Sequence, residues 1–178
     1  MKKRILATLL TCVLVCGFAL AGCKGGITYT AFNGNGYSVE IDQTWSGEAI
    51  SDGLYLYRSP SGTEGSPSIS ITEIQSDPID YDSQVMFLQM RFENMPASGD
   101  SNSENRYSNV QQGTFGSNAL VTADSEFYLD GALTIKSKEI MFFATPSLLV
   151  SIEYSVGVAG YSSHQADMEH VINSVKPL

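Results

Sequence analysis

Hydrophobic and polar positions along the chain follow two different spacings, which predict strands in some stretches and helices in others. In the first half, apolar side chains recur at every second position, which is typical of a half-buried strand. On one predicted strand Leu54 and Leu56 alternate with Tyr55 and Tyr57, so its two faces differ. The strands predicted from this pattern are Tyr37–Ile41, Gly53–Arg58 and Ser68–Ile74.

A helical spacing follows these strands. Asp80–Ser83 supplies side-chain oxygens that can cap the first turn of a helix, and Pro96 ends it. Residues 97–106 carry no large apolar side chain, so we predict a mobile surface loop there. The apolar face of the helix comprises Val85, Leu88, Phe92 and Met95.

The second half of the chain predicts an antiparallel meander. Residues 110–122 form a strand-rich block that two glycines interrupt. Asp130-Gly131 indicates a hairpin between strands at 126–129 and 132–143, and a proline turn leads into a strand at 148–156.

A second helix closes the predicted fold. Ser162 and Gln165 match a capping box, and Pro177 fits the helix end. Strands grouped between two helices predict an α+β fold with a mainly antiparallel β-sheet flanked by two helices. The apolar face of this helix comprises Met168, Val171, Ile172 and Val175.

The residues before the first predicted strand have the pattern of a secretory signal. Lys2–Arg4 is basic, and Ile5–Leu20 is apolar but shorter than the roughly 18 residues that a spanning helix needs. Leu20-Ala21-Gly22-Cys23 resembles the box of bacterial lipoprotein signals at every position. That resemblance implies cleavage before Cys23 and a diacylglyceryl group on its sulfur.

This interpretation divides the chain into a signal peptide (1–22), a tether (23–36) and a single domain (37–178). We expect a lipid anchor at Cys23 on the extracytoplasmic face of the cell membrane, because two acyl chains suffice for stable anchoring. Lys24 indicates the outer membrane if one is present, since the aspartate that favours inner-membrane retention is missing. The alternative is a plain secretory signal in which Cys23 is incidental.

Charge and cysteine content exclude several classes of protein. The chain has 10 Lys and Arg against 19 Asp and Glu, and cleavage would remove three basic residues and no acidic one. This balance argues against nucleic-acid binding and against attachment to anionic lipid by charge. Cys12 and Cys16 lie in the signal, so we expect neither a disulfide framework nor a thiolate metal site.

The predicted domain contains four short motifs: Gly36–Ile41 followed by Trp45, the aromatic strand Tyr55–Tyr57, Ile69–Ile71 and Val171–Val175. Together these motifs resemble those of the PsbP/Mog1-type domains. That resemblance implies an α/β/α sandwich and a role in binding or assembly without catalysis. It carries over no functional residue, because fold alone does not determine function.

Few residues suggest chemistry. His164 and His170 lie six positions apart, on different faces of the closing helix, so we expect structural roles for both rather than a metal site. Asp77, Asp80 and Asp82 could ligate calcium, but they lack EF-hand spacing, and helix capping explains the same residues.

The leading hypothesis is a lipid-anchored, extracytoplasmic binding or assembly module without catalytic activity or cofactor. Its partner would be an envelope protein or a small ligand, and the candidate surface comprises Trp45, Tyr55 and Tyr57, although aromatic residues usually just pack. The alternative is a carbohydrate-active or other hydrolytic surface enzyme that uses carboxylates, for which the sequence nominates no pair. A third hypothesis makes the loop at 97–106 the recognition element.

Overall fold

The computed structural model describes residues 27–62, 65–93 and 102–178. Within these ranges the chain forms two helices, ten strands and a short 3₁₀ turn at Val158–Gly160. The helices are α1 (Tyr81–Glu93) and α2 (Tyr161–Asn173). The strands are β1 (Tyr29–Asn33), β2 (Tyr37–Asp42), β3 (Ser46–Ser51), β4 (Leu54–Arg58), β5 (Ser68–Gln75), β6 (Ser103–Phe115), β7 (Asn118–Leu129), β8 (Ala132–Thr145), β9 (Leu148–Gly157) and β10 (Lys176–Pro177).

The strands form two antiparallel sheets. The larger has seven strands in the order β3-β4-β5-β9-β8-β7-β6, and the smaller has three in the order β1-β2-β10. The α+β class, with a mainly antiparallel sheet and two helices, is therefore confirmed. Neither described helix is long and apolar enough to cross a membrane.

Both faces of the central strands are buried, because successive side chains of a strand point to opposite faces. Phe142 of β8 and Val150 of β9 face the small sheet and α2, and their neighbours Phe143 and Leu149 face α1. This explains why residues 140–143 are apolar without alternation. Burying one such side chain fully contributes about 1.5–3 kcal/mol.

Local signals for turns and caps are confirmed at two positions. Asp130 and Gly131 have φ angles of 51° and 78°, the left-handed values that a two-residue hairpin turn requires. At the start of α1, the backbone N–H of Ser83 donates to Asp80 Oδ1 at 2.8 Å.

The predicted tether is partly wrong, because residues 29–33 form strand β1. It pairs with β2 along its whole length, from Tyr29 opposite Asp42 to Asn33 opposite Ser38. The segment Ser46–Ser51, for which no element was predicted, forms the edge strand β3 with every residue exposed. Neither strand shows the alternation that would predict it, because β3 is exposed throughout and the two packed residues of β1, Tyr29 and Phe32, lie three positions apart.

The predicted loop at 97–106 is also partly wrong. Residues 103–106 begin β6 and pair with the end of β7. Residues 97–101 of the loop lie outside the described residues, as does the predicted helix residue Met95.

The predicted capping box at Ser162 and Gln165 is wrong as well. Gly160 is the N-cap of α2, and no side chain caps that end.

Candidate functional site

A groove of about 300 Å³ lies where the small sheet meets the edge of the large one. Its walls come from β1, from the end of β2 with the turn that follows, and from β4. We call it the aromatic groove, defined by Thr30–Asn33, Ile41–Gln43, Trp45 and Tyr57. It combines aromatic rings with amide, hydroxyl and carboxylate groups, which is the usual composition of a binding site.

A tight turn positions Trp45 in the groove. The backbone N–H of Thr44 donates to Asp42 Oδ1 at 2.9 Å, and the N–H of Trp45 donates to the Asp42 carbonyl at 3.0 Å. Aspartate favours such turns because its side chain can accept a bond from backbone two residues on. The indole ring packs on Tyr154, with ring centroids 5.5 Å apart.

The two tyrosines of β4 take different places. Tyr57 lines the groove, where Gly47 of the neighbouring strand leaves room for its ring, since a Cβ at Gly47 would clash with it. Burial raises the pKa of Tyr57, and the nearby Tyr55 raises it further. Tyr55 is not among the lining residues and packs on Phe32, with ring centroids 5.2 Å apart. The structure thus brings Trp45 and Tyr57 together in the groove.

A buried hydrogen-bond network, which the sequence did not indicate, lies behind Trp45. Asp167 of α2 is 4% exposed and accepts bonds from the hydroxyls of Tyr29 at 2.7 Å and Tyr154 at 2.6 Å. Burial, then the bond to Asp167, raises the pKa of both tyrosines, so both remain neutral donors. The one signal in the sequence is a carboxylate one turn before Val171 on the apolar face of α2.

A second, polar cleft of about 440 Å³ lies beside α2. It is lined by Glu40, His170, Asn173, Ser174 and Lys176. His170 Nε2 lies 2.9 Å from Glu40 Oε2, and its ring stacks on that of Tyr29 with centroids 3.8 Å apart.

The serine of this cleft is held by the backbone. Ser174 Oγ accepts from the backbone N–H of Glu40 and donates to the carbonyl of Val171. The two histidines named in the sequence analysis take different positions on α2. His170 contacts Tyr29 of β1 and Glu40 of β2, whereas His164 lies near the N-terminal end of the helix.

Two glutamates lie directly opposite each other on the face of the large sheet that α1 covers. Glu139 of β8 pairs in register with Glu153 of β9, and Glu139 is 6% exposed. Ser151 Oγ donates to Glu139 at 2.8 Å, and Ser155 Oγ donates to Glu153 at 3.1 Å. Burial, then the charge of Glu153, raises the pKa of Glu139. The sequence could not nominate this pair, because strand register alone brings it together.

The proposed calcium ligands do not form a cluster. Asp80 caps α1, and the bond from the Ser83 backbone lowers its pKa, whereas Asp77 and Asp82 are exposed. In the described part of the chain, no three carboxylate, imidazole or thiol groups are close enough to hold a metal ion together. The predicted lipid attachment residue, Cys23, lies outside the described residues.

Comparison with known proteins finds likeness in structure alone. No family model matches the chain, and no curated protein does. Among solved structures, it is similar to the cyanobacterial PsbP (CyanoP) of Synechocystis sp. PCC 6803, with a TM-score of 0.59 and 14% identity over 88% of this chain and 96% of that one.

It is also similar to LpqN of Mycobacterium tuberculosis, which is involved in cell envelope biogenesis. The TM-score is 0.54, with 14% identity over 85% of this chain and 91% of LpqN. A protein of unknown function from Pseudomonas aeruginosa matches with a TM-score of 0.50 and 14% identity over 84% of this chain and 97% of that one. At these identities the likeness concerns the fold, and the chain has the PsbP-like fold that its short motifs implied.

Proposed function

We propose that this protein is a lipid-anchored, extracytoplasmic binding module that holds a partner or small ligand in the aromatic groove without chemical turnover. The observation that carries this proposal is the groove itself, in which Trp45 and Tyr57 stand beside the polar groups of Asp42 and Gln43. Aromatic rings beside hydrogen-bonding groups supply both contact area and specificity, as binding sites require.

The position of the groove along the chain supports the same proposal. Its first wall is β1, which starts six residues after Cys23. Six residues reach at most about 20 Å, so a lipid on Cys23 would keep the groove near the membrane surface. An envelope role is compatible with the one stated for LpqN, whose fold the chain shares.

Crosslinking in intact cells tests the proposal. A photoreactive benzoylphenylalanine replaces Gln43, which is exposed at the groove. In a matched control it replaces Leu129, which is 46% exposed at the end of β7, towards the other edge of the large sheet. We expect a discrete, saturable adduct from position 43 that Trp45→Leu reduces at least about tenfold, since the loss of an aromatic hot spot costs about 2 kcal/mol or more. Equal adducts from both positions, or no effect of Trp45→Leu, would contradict groove binding.

The anchor is tested separately by mass spectrometry of the protein as cells process it. We expect the mature chain to start at Cys23 with a diacylglyceryl group on the sulfur, and Cys23→Ser to remain unprocessed. An unmodified sulfur, or residues 1–22 still attached, would contradict the anchor but leave the groove experiment unaffected.

The alternative is a hydrolytic surface enzyme, which the Glu139 and Glu153 pair favours because burial raises the pKa of one of two adjacent carboxyl groups. We rank it second, since serine hydroxyls hydrogen-bond both carboxylates and Glu139 is almost fully buried. A hydrolase would release reducing sugar from cell-wall polysaccharide and lose that activity in Glu139→Gln. The binding module would release none.

A further inference from the structure

The outer side of α1 is apolar, although its inner side already packs on the core. Leu88 and Phe92 are buried against β7 and β8. Met86, Phe87 and Met90 are 58%, 47% and 54% exposed, although the Phe87 ring also meets the buried Phe143 edge-on with ring centroids 6.2 Å apart, and we call them the α1 stripe. Met86 and Met90 lie one turn apart, so the stripe is continuous along the helix.

This concentration of apolar surface is unusual for the molecule. Among the described residues, eleven large hydrophobic side chains are exposed, and four of them, the α1 stripe and Tyr81, belong to this 13-residue helix. Contiguous apolar patches on a soluble surface mark interaction sites. Methionine suits such a site, because its flexible thioether adapts to different partners.

Negative charge adjoins the stripe at the start of the helix. Asp77, Asp80 and Asp82 are all exposed, and Asp82 lies one turn before Met86. The bond from Ser83 lowers the pKa of Asp80, which keeps its carboxylate ionised at neutral pH.

The helix has one cation of its own, Arg91 in its last turn, at the end away from Asp82, and most other cations of the described residues are paired with carboxylates elsewhere. Arg58 pairs with Glu48, Arg106 with Glu104, Lys136 with Glu126, and Lys138 with Asp124 and Glu169. Asp77 and Asp82 have no such cationic partner among the residues that the structure describes. The start of the α1 stripe is therefore both apolar and acidic.

We propose that the α1 stripe binds a basic amphipathic segment of a partner protein, whose apolar face covers Met86, Phe87 and Met90 while a lysine or arginine pairs with Asp82. Amphipathic helices dock on apolar surfaces in this way, and the acidic rim selects a basic partner. A second copy of this acidic chain would bring like charges together, and an anionic membrane would be repelled. The site is independent of the aromatic groove, which lies on the opposite face of the large sheet.

The test uses the protein as cells process it and a fluorescent synthetic helix of leucine and lysine, about five turns long, with all leucines on one face. A peptide of the same composition in scrambled order has no apolar face and serves as the peptide control. Fluorescence anisotropy measures the dissociation constant at low and high salt. The variants change exposed side chains, and circular dichroism checks that each is folded.

We expect saturable binding of the amphipathic peptide that Met86→Gln with Met90→Gln weakens at least tenfold, which corresponds to about 1.4 kcal/mol. Asp82→Asn should weaken binding up to about fivefold and reduce its salt dependence, as expected for an exposed ion pair. Two controls, Ile50→Gln on the exposed edge strand β3 and Asp52→Asn in an exposed turn, should bind like the unmodified protein.

Several outcomes would overturn the proposal. These are equal binding of the scrambled peptide, unchanged binding by the double methionine variant, or a loss equally large in Ile50→Gln. Self-association that the double variant abolishes would assign the α1 stripe to a second copy instead. A chain that starts at Lys24 lacks both the apolar signal segment and the cysteine, and its recruitment to phosphatidylcholine vesicles, abolished in the double variant, would assign the α1 stripe to lipid.

Discussion

Removing the carboxylate of Asp167 should destabilise the protein strongly, because the hydroxyls of the buried Tyr154 and the partly buried Tyr29 both depend on it. Asp167→Ala leaves Tyr29 and Tyr154 without their acceptor, after bonds of 2.7 and 2.6 Å. A hydrogen bond to a charged group contributes about 1.5–3 kcal/mol, so the two together predict a loss of about 3–6 kcal/mol. Asp167→Asn, which keeps an acceptor oxygen, should lose less.

Urea unfolding at neutral pH measures this loss as a shift of the midpoint at constant slope. Asp52→Ala, an exposed aspartate in a turn, is the matched control and should stay within about 0.5 kcal/mol of the unmodified protein. Tyr29→Phe should cost about 1.5–3 kcal/mol alone and close to nothing in the Asp167→Ala background.

This experiment also tests whether β1 belongs to the folded domain. If residues 23–36 acted only as a tether, Tyr29→Phe would leave the free energy of unfolding unchanged. A loss below about 1 kcal/mol in Asp167→Ala would refute the reasoning, since it would mean that the two tyrosine hydroxyls find other partners.

Three further predictions concern the sheets. Because the pKa of Glu139 is raised in the folded state, its contribution to stability is present at low pH and lost as the pH rises through the folded pKa. In urea unfolding, Glu139→Gln should therefore be more stable than the unmodified protein at pH 8 but not at pH 4, and the loss of repulsion from Glu153 alone should contribute about 0.2–1 kcal/mol of that gain. An equal gain at both values would contradict this. Gly53→Ala should destabilise the protein by about 1–3 kcal/mol, and by more than Gly131→Ala, because both glycines have positive φ but only a Cβ at position 53 would meet a backbone oxygen, that of Glu73, at 2.6 Å. Equal decreases in melting temperature for the two variants would contradict a steric clash at position 53. Phe142→Ala should cost about 3–5 kcal/mol, and a cost near that of an exposed site in calorimetry would refute its place in the core.

Residues whose own side chains are buried at regular spacing were predictable from the sequence. Ser68–Gln75 forms a strand because Ile69 and Ile71 face the core, and α1 places Leu88 and Phe92 on one buried face. Asp130-Gly131 was equally predictable, because the turn needs two left-handed residues in a row. In each case the sequence pattern that determines the element spans only a few residues of the chain.

Strand β3 was not predictable, because every residue is exposed and backbone hydrogen bonds to β4 hold it. Strand β1 was not predictable either, because its two packed side chains, Tyr29 and Phe32, lie three positions apart and do not alternate. The residues of the candidate site were likewise predictable only in part. The sequence nominated Trp45, in the connection after the first predicted strand, together with Tyr55 and Tyr57 on the second. The fold brings Trp45 and Tyr57 into the groove and leaves Tyr55 out of its lining.

The sequence by itself determined the α+β class and the central strands, since short-range periodicity carries that information. Only the tertiary structure decided which polar groups meet. Tyr29 and Asp167 lie 138 residues apart, and Glu139 reaches Glu153 through a register that one residue of slip would destroy. Such contacts depend on how separate elements pack, and no local pattern in the chain records that packing.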